Sequence, residues 1–209
     1  MFSAVIYTAG RTGSQLIFRN LVSRFKTVGR DDFNNDFNYG VVSTHNPLYL
    51  PPTDDFICII SKRKNLFDEI ISSLTAKRTN EFVQYSNKEI NSFSISDLEF
   101  KNTFLFHKAY YEIINKNYFK KVLEINYEDL INDPKYLFSL FGLPYLTEYD
   151  LKSPYDYYKL VENMNELKNI YDLLEQTPIT QREIDIVKSN ITSDLHDIRV
   201  NHNGNRFLN

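Results

Sequence analysis

Phe56-Ile57-Cys58-Ile59-Ile60 has no polar side chain on either face that a strand would present. An apolar run of this length, placed after the break at Pro51-Pro52, predicts a central parallel strand covered on both sides. Residues 2–7, ending in Val5-Ile6-Tyr7, predict a second buried strand. Gly40-Val41-Val42-Ser43-Thr44 and Val122-Leu123-Glu124-Ile125-Asn126 predict two more. Helical spacing follows the first strand at Leu16, Ile17, Leu21, Val22 and Phe25, and the third at Leu66, Phe67, Ile70, Ile71 and Leu74. Strands alternating with helices predict an α/β protein: three layers, α/β/α, around a parallel sheet. One domain over residues 1–209 is the simplest organisation at this length.

The remaining elements are read more locally. Residues 29–40, polar and carrying two glycines, read as loop, and a helix is expected over about 103–117. Asp133-Pro134 is a helix start and Gly142 suits that helix's end. Residues 158–175 show one helical period, and Thr180-Gln181-Arg182-Glu183 is a capping box opening a last helix. Residues 77–102 fit no single pattern. With Phe82, Tyr85 and Phe93 they form a candidate wall for a substrate pocket, or ordinary core.

Composition narrows the function. The net charge of −3 argues against a general nucleic-acid surface, so any anion site must be local. No segment approaches the ~20 apolar residues that cross a bilayer, and the N-terminus has no secretion signal, so a cytoplasmic protein is expected. The single Cys58 lies in an apolar run and reads as core. No Cys/His cluster points to a metal.

Chemistry concentrates at the first strand-to-helix turn, Thr8-Ala9-Gly10-Arg11-Thr12-Gly13-Ser14-Gln15. A turn from a strand into a helix N-terminus points backbone N–H groups and the positive end of a helix dipole at an anion. The Gly-Lys-Ser/Thr ending of a Walker A loop is missing, and Arg11 stands there instead. Gly10 and Gly13 also fit a simple turn.

Four segments in order resemble the sulfotransferases that use 3′-phosphoadenosine 5′-phosphosulfate (PAPS), and the cytosolic branch is the closest by motif. The turn is similar to the family's Tyr-Pro-Lys-Ser-Gly-Thr-Thr or Arg-Ser-Gly-Ser. Ser43-Thr44-His45-Asn46-Pro47 is similar to Lys-Thr-His-Leu-Pro. Lys64-Asn65-Leu66-Phe67-Asp68-Glu69-Ile70-Ile71-Ser72 aligns without a gap with Arg-Asn-Pro-Lys-Asp-Val-x-Val-Ser. Tyr127-Glu128-Asp129-Leu130, followed by Asp133-Pro134 and Phe141-Gly142, matches the family's Tyr-Glu-Asp-Leu, Asp-Pro and Phe-Leu-Gly. These segments span roughly residues 5–144. The chain departs from the pattern at Leu66, where the family has Pro. It also lacks a C-terminal Arg-Lys-Gly, having only Arg199 and Asn201-His202-Asn203-Gly204-Asn205-Arg206.

The resemblance implies a P-loop-like sulfotransferase fold and transfer of a sulfuryl group from PAPS to a small-molecule, glycan or lipid acceptor, releasing 3′-phosphoadenosine 5′-phosphate (PAP). It implies that Arg11, Thr12, Gly13, Ser14 and Gln15 hold the 5′ end, with Arg11 in the place of the catalytic Lys. A cation beside the bridging oxygen stabilises charge that develops as sulfate leaves. It implies that Lys64 and Ser72 hold the 3′-phosphate, with Arg63 the rival of Lys64, since the strand runs straight into Arg63. A planar fork and a point charge grip phosphate differently. Tyr127 is expected beside the adenine, and His45 as the general base, a task imidazole suits near neutral pH. His107, His196 and His202 are read as structural. Two other classes stay open: a non-catalytic module that binds PAP, and another P-loop kinase or NTPase. Neither the acceptor nor the oligomeric state is readable in the sequence.

Overall fold

β1 (Ala4–Thr8), β2 (Gly29–Asp31), β3 (Val41–Thr44), β4 (Ile57–Lys62) and β5 (Lys121–Asn126) form one parallel sheet in the order β2-β3-β1-β4-β5. This arrangement comes from a computed structural model of the chain, which describes residues 2–27, 29–31, 39–79, 91–133, 135–142 and 157–202. The helices are α1 (Ser14–Phe25), α2 (Leu66–Thr79), α3 (Asp97–Ile113), α4 (Tyr127–Asn132), α5 (Lys135–Leu140), α6 (Tyr157–Leu160), α7 (Met164–Glu175) and α8 (Gln181–His202). They cover both faces of the sheet, so the expected α/β class with a central parallel sheet holds.

Alternation along the strands decides which helix lies where. Val5, Tyr7, Val42, Cys58 and Ile60 point to the face covered by Tyr110 and Ile114 at the end of α3. Ala4, Ile6, Val41, Ile59 and Ile125 point to the other, covered by Ile17 and Leu21 of α1, Leu130 of α4 and Leu137 of α5. Strand residues buried on both faces cannot alternate with polar ones, which is why the sequence shows unbroken apolar runs. A further cluster joins α2, α3 and α7 through Phe67, Ile71, Phe100, Phe104, Leu167 and Tyr171.

Three boundaries differ from the sequence reading. Residues 29–31, read as loop, are the edge strand β2. A Cβ on Gly29 would lie 2.4 Å from Val22 Cγ2 and 2.7 Å from Phe18 Cζ, so this glycine serves close packing against α1, not a turn. The helix expected from about 103 starts at Asp97, because the Ser96 hydroxyl accepts from Glu99 N–H and caps it. The helix expected over 158–175 is broken. Val161 forms a parallel bridge with Phe93, whose N–H donates to Leu160 and whose carbonyl accepts from Glu162 N–H. Tertiary pairing here overrides the helical period.

Other local expectations hold. Asp133 caps the helix that follows, its Oδ1 accepting from Lys135 N–H. Both bonds of the Thr180–Glu183 capping box form. Among the described residues no helix is long and apolar enough to cross a membrane.

Cys58 is fully buried, and burial pushes its thiol up to about 12. It should therefore resist alkylation by iodoacetamide at pH 8 in the folded protein and react only as the chain unfolds in urea. Labelling at the rate of a free thiol without denaturant would contradict this packing.

Candidate functional site

The chain leaves β1 toward β3 and leaves β4 toward β5, and β1 and β4 are neighbours. Adjacent parallel strands whose connections depart in opposite directions open a crevice at their carboxyl ends, the usual ligand position in such sheets. The segment after β1 is Ala9–Gly13, and the segment after β4 begins at Arg63. The two stretches singled out in the sequence thus face each other across this switch point.

The turn after β1 is held from below. The Thr8 hydroxyl accepts from Gly10 N–H at 3.0 Å and pairs with the Thr12 hydroxyl at 2.8 Å. The Ser61 hydroxyl of β4 donates to the Thr12 carbonyl at 2.7 Å. Thr8, Thr12 and Ser61 are all buried. Arg11 takes φ 57°, a left-handed conformation costing a residue with a Cβ about 1–2 kcal/mol. Gly13 caps α1 at φ 79°. A Cβ there would sit 2.9 Å from the Tyr127 ring, so the ring closes against the glycine. Ser14 and Gln15 open the first turn of α1, at the positive end of its dipole.

The run Lys62-Arg63-Lys64 divides into two kinds of residue. Lys62 and Lys116 both pair with Glu124 of β5. Bonds from Lys116 and then Lys62 hold the Glu124 carboxyl down at about 2. Lys64 is exposed and pairs with Asp129 of α4, which raises the ammonium and lowers the carboxyl from their ordinary values. Arg63 instead turns back over the loop. Its Nε donates to the Arg11 carbonyl at 3.0 Å, its Nη2 lies 3.4 Å from the Ser72 hydroxyl, and its guanidinium stacks over the Tyr127 ring at 4.6 Å. Arg11 Nε also reaches Ser72, at 3.5 Å. Of the two rivals for the phosphate, Arg63 lies with Ser72 and the loop, and Lys64 with Asp129.

Tyr127, expected beside a base, is 9% exposed and packs between Gly13 and Arg63. Phe93 packs against the α2–α3–α7 cluster, which is the ordinary-core alternative for it. Phe82 and Tyr85, the other expected pocket aromatics, lie outside the described residues, as do residues 203–209.

His45 follows β3 directly and is exposed. Its Nδ1 lies 2.9 Å from the Thr8 carbonyl. A carbonyl only accepts, so Nδ1 carries the hydrogen and the neutral ring keeps its lone pair on Nε2. The same Thr8 thus anchors both the anion loop and the imidazole.

The sequence reading missed a layer of buried polar residues beneath this rim. Tyr110 of α3 accepts from Thr8 N–H at 3.0 Å and donates to the Thr44 carbonyl at 3.2 Å, pinning the ends of β1 and β3. Glu69 and His107, 0% and 1% exposed, bond each other at 2.8 Å, so His107 serves a carboxylate and not a backbone group. Tyr111 donates to Glu69 at 2.7 Å, and burial first, then Glu69, raises its hydroxyl well above the ordinary value. The signal was present: His107, Tyr110 and Tyr111 share one helical face at i, i+3 and i+4, and Glu69 interrupts an apolar helix.

A cavity of about 250 Å³ opens beside the start of α2, lined by Asn65, Phe67, Tyr158, Met164, Asn165 and Lys168. It adjoins the Arg63 segment in sequence and contains none of the converging cations. Comparison of the chain with family models, with curated proteins and with solved structures finds no match.

Gly13→Ala should lower unfolding stability by about 2–4 kcal/mol, combining left-handed strain with overlap on Tyr127. Urea titration measures it, and a midpoint equal to that of the parent protein would contradict the close approach of the ring.

Proposed function

We propose that the chain is a PAPS-dependent sulfotransferase on a P-loop-like fold, acting on a hydroxyl or amine of a small-molecule, glycan or lipid acceptor. The observation that carries the reading is the meeting of Arg11 and Arg63 at the Ser72 hydroxyl, at the switch point and beside a helix N-terminus. Two guanidinium groups that reach one hydroxyl from either side can each face an anionic group of a ligand lying across it. The donor set of two guanidinium groups, hydroxyls and first-turn amides suits phosphate or sulfate oxygens.

PAPS, when bound, supplies the sulfuryl group and leaves as PAP. Arg11 with Thr12, Gly13, Ser14 and Gln15 holds the 5′ end, and Arg63 with Ser72 holds the 3′-phosphate. Lys64, neutralised at the surface by Asp129, adds little to that grip. Tyr127 gives Arg63 a flat platform and borders the nucleotide. His45 takes the acceptor proton on Nε2, with the Thr8 carbonyl holding its tautomer. Arg11 stabilises the negative charge that builds on the bridging oxygen.

Thermal melting separates the classes. PAP should raise the melting temperature with no magnesium present, and ATP should not. A shift that requires both ATP and magnesium would instead identify a kinase or NTPase. His45→Ala and Arg11→Ala should each reduce sulfuryl transfer by about 10²-fold or more, His45→Ala with PAP affinity unchanged. Full turnover by His45→Ala would overturn the base assignment. PAP binding with transfer to no acceptor would make the chain a binding module.

The two neighbouring cations give a sharper comparison. Arg63→Ala should weaken PAP binding by about 10–100-fold, the value of a charge-assisted hydrogen bond, while Lys64→Ala should stay within about threefold. Calorimetric titration reads both, and the reverse ranking would return the 3′-phosphate to Lys64.

A further inference from the structure

The structure assigns Glu69 as the positioning residue that sets Arg63 against the anion loop. Its carboxylate is buried and accepts three hydrogen bonds: from Tyr111 Oη and His107 Nδ1 on one oxygen, and from Arg63 N–H at 2.9 Å on the other. A carboxylate oxygen only accepts, so at this group the Tyr111 hydroxyl, the His107 ring nitrogen and the Arg63 amide are the donors.

The bond to Arg63 is the informative one. Glu69 lies one turn into α2, and its carboxylate reaches back to Arg63, the residue that follows β4. It fixes the main chain of Arg63, while the side chain of that residue is held by the Arg11 carbonyl, Ser72 and Tyr127. The other carboxylate oxygen connects to the same place from behind. Tyr111 lies 3.3 Å from the Ser61 carbonyl, and the Ser61 hydroxyl donates to the Thr12 carbonyl. One buried carboxylate therefore spans α2, α3 and β4 and fixes the angle at which Arg63 leaves the sheet. Glu69 touches no ligand in this account. It acts through Arg63.

Glu69→Gln keeps the volume but can present only one acceptor oxygen. Two donors, Tyr111 and His107, face one site and a single donor faces the other. The amide oxygen goes to the pair, and the amide NH₂ then meets Arg63 N–H, donor against donor.

The test has two arms, and the second rests on the sulfotransferase reading. Without ligand, hydrogen exchange at the Arg63 amide, read by NMR, should speed up about tenfold or more in Glu69→Gln, while Ile59 and Ile60 amides in β4 stay within about twofold. Unchanged exchange at Arg63, or an equal rise along β4, would overturn the assignment. With PAP as the probe, Glu69→Gln should weaken binding about tenfold in the parent protein and less than twofold in the Arg63→Ala background. Equal losses in both backgrounds would show that Glu69 does not act through Arg63. A parent protein that does not bind PAP would remove the functional reading, and the exchange arm would still decide on Glu69. Should Glu69→Gln not fold, Glu69→Asp draws the carboxyl back by about 1.5 Å and should give the same pair of changes.

Discussion

The hydrogen bond from Arg63 Nε to the carbonyl of Arg11 joins the two loops on which the site depends. Arg11 occupies a left-handed conformation that is unfavourable for a residue with a side chain. A bond from a charged donor contributes about 1.5–3 kcal/mol, enough to offset that strain. The neighbouring carbonyl, that of Thr12, accepts from Ser61. Consecutive carbonyls of the turn are thus held by consecutive regions of β4 and its exit, and the turn keeps its shape without a ligand. Preorganisation of this kind lets donors meet a developing charge without reorganising first.

The arrangement follows from the sheet. Strands apolar on both faces require cover on both sides, and parallel strands require crossover connections, which here pass through α1 between β1 and β2 and through α2 and α3 between β4 and β5. With β1 in the middle and its neighbours β3 and β4 reached in opposite directions, the carboxyl ends of all three collect Thr8, His45 and Arg63 at one edge. The polar layer beneath that edge, Thr8, Ser61, Glu69, His107, Tyr110 and Tyr111, is paired internally. Satisfied buried networks of this kind confer rigidity at the cost of tolerating little substitution.

Much of the fold was legible in the sequence because it depends on local pattern. The apolar runs at 5–7 and 56–60, the glycine turn between strand and helix, Asp133 as a cap and the Thr180–Glu183 box all report short-range physics. The edge strand at Gly29 was not legible, since its glycine answers to the packing of Phe18 and Val22. Nor was the break at Val161, which depends on Phe93 nearly seventy residues away along the chain. In the candidate site, Arg11, Ser72 and His45 could be named from motif and strand ends. The different placements of Arg63 and Lys64 were not legible, because they turn on which acids the neighbouring helices bring near. Asp129 draws Lys64 outward, and Glu69 with the Arg11 carbonyl draws Arg63 inward.

The account stands or falls on where an anion binds. Crystals of the protein grown with PAP would test it most directly. Difference density for a phosphate bonded to the guanidinium of Arg63 and the hydroxyl of Ser72, with the second phosphate group on the Arg11–Gln15 turn, is the predicted result. Phosphate density elsewhere on the surface, with the space between Arg11 and Arg63 holding only solvent at saturating PAP, would contradict it.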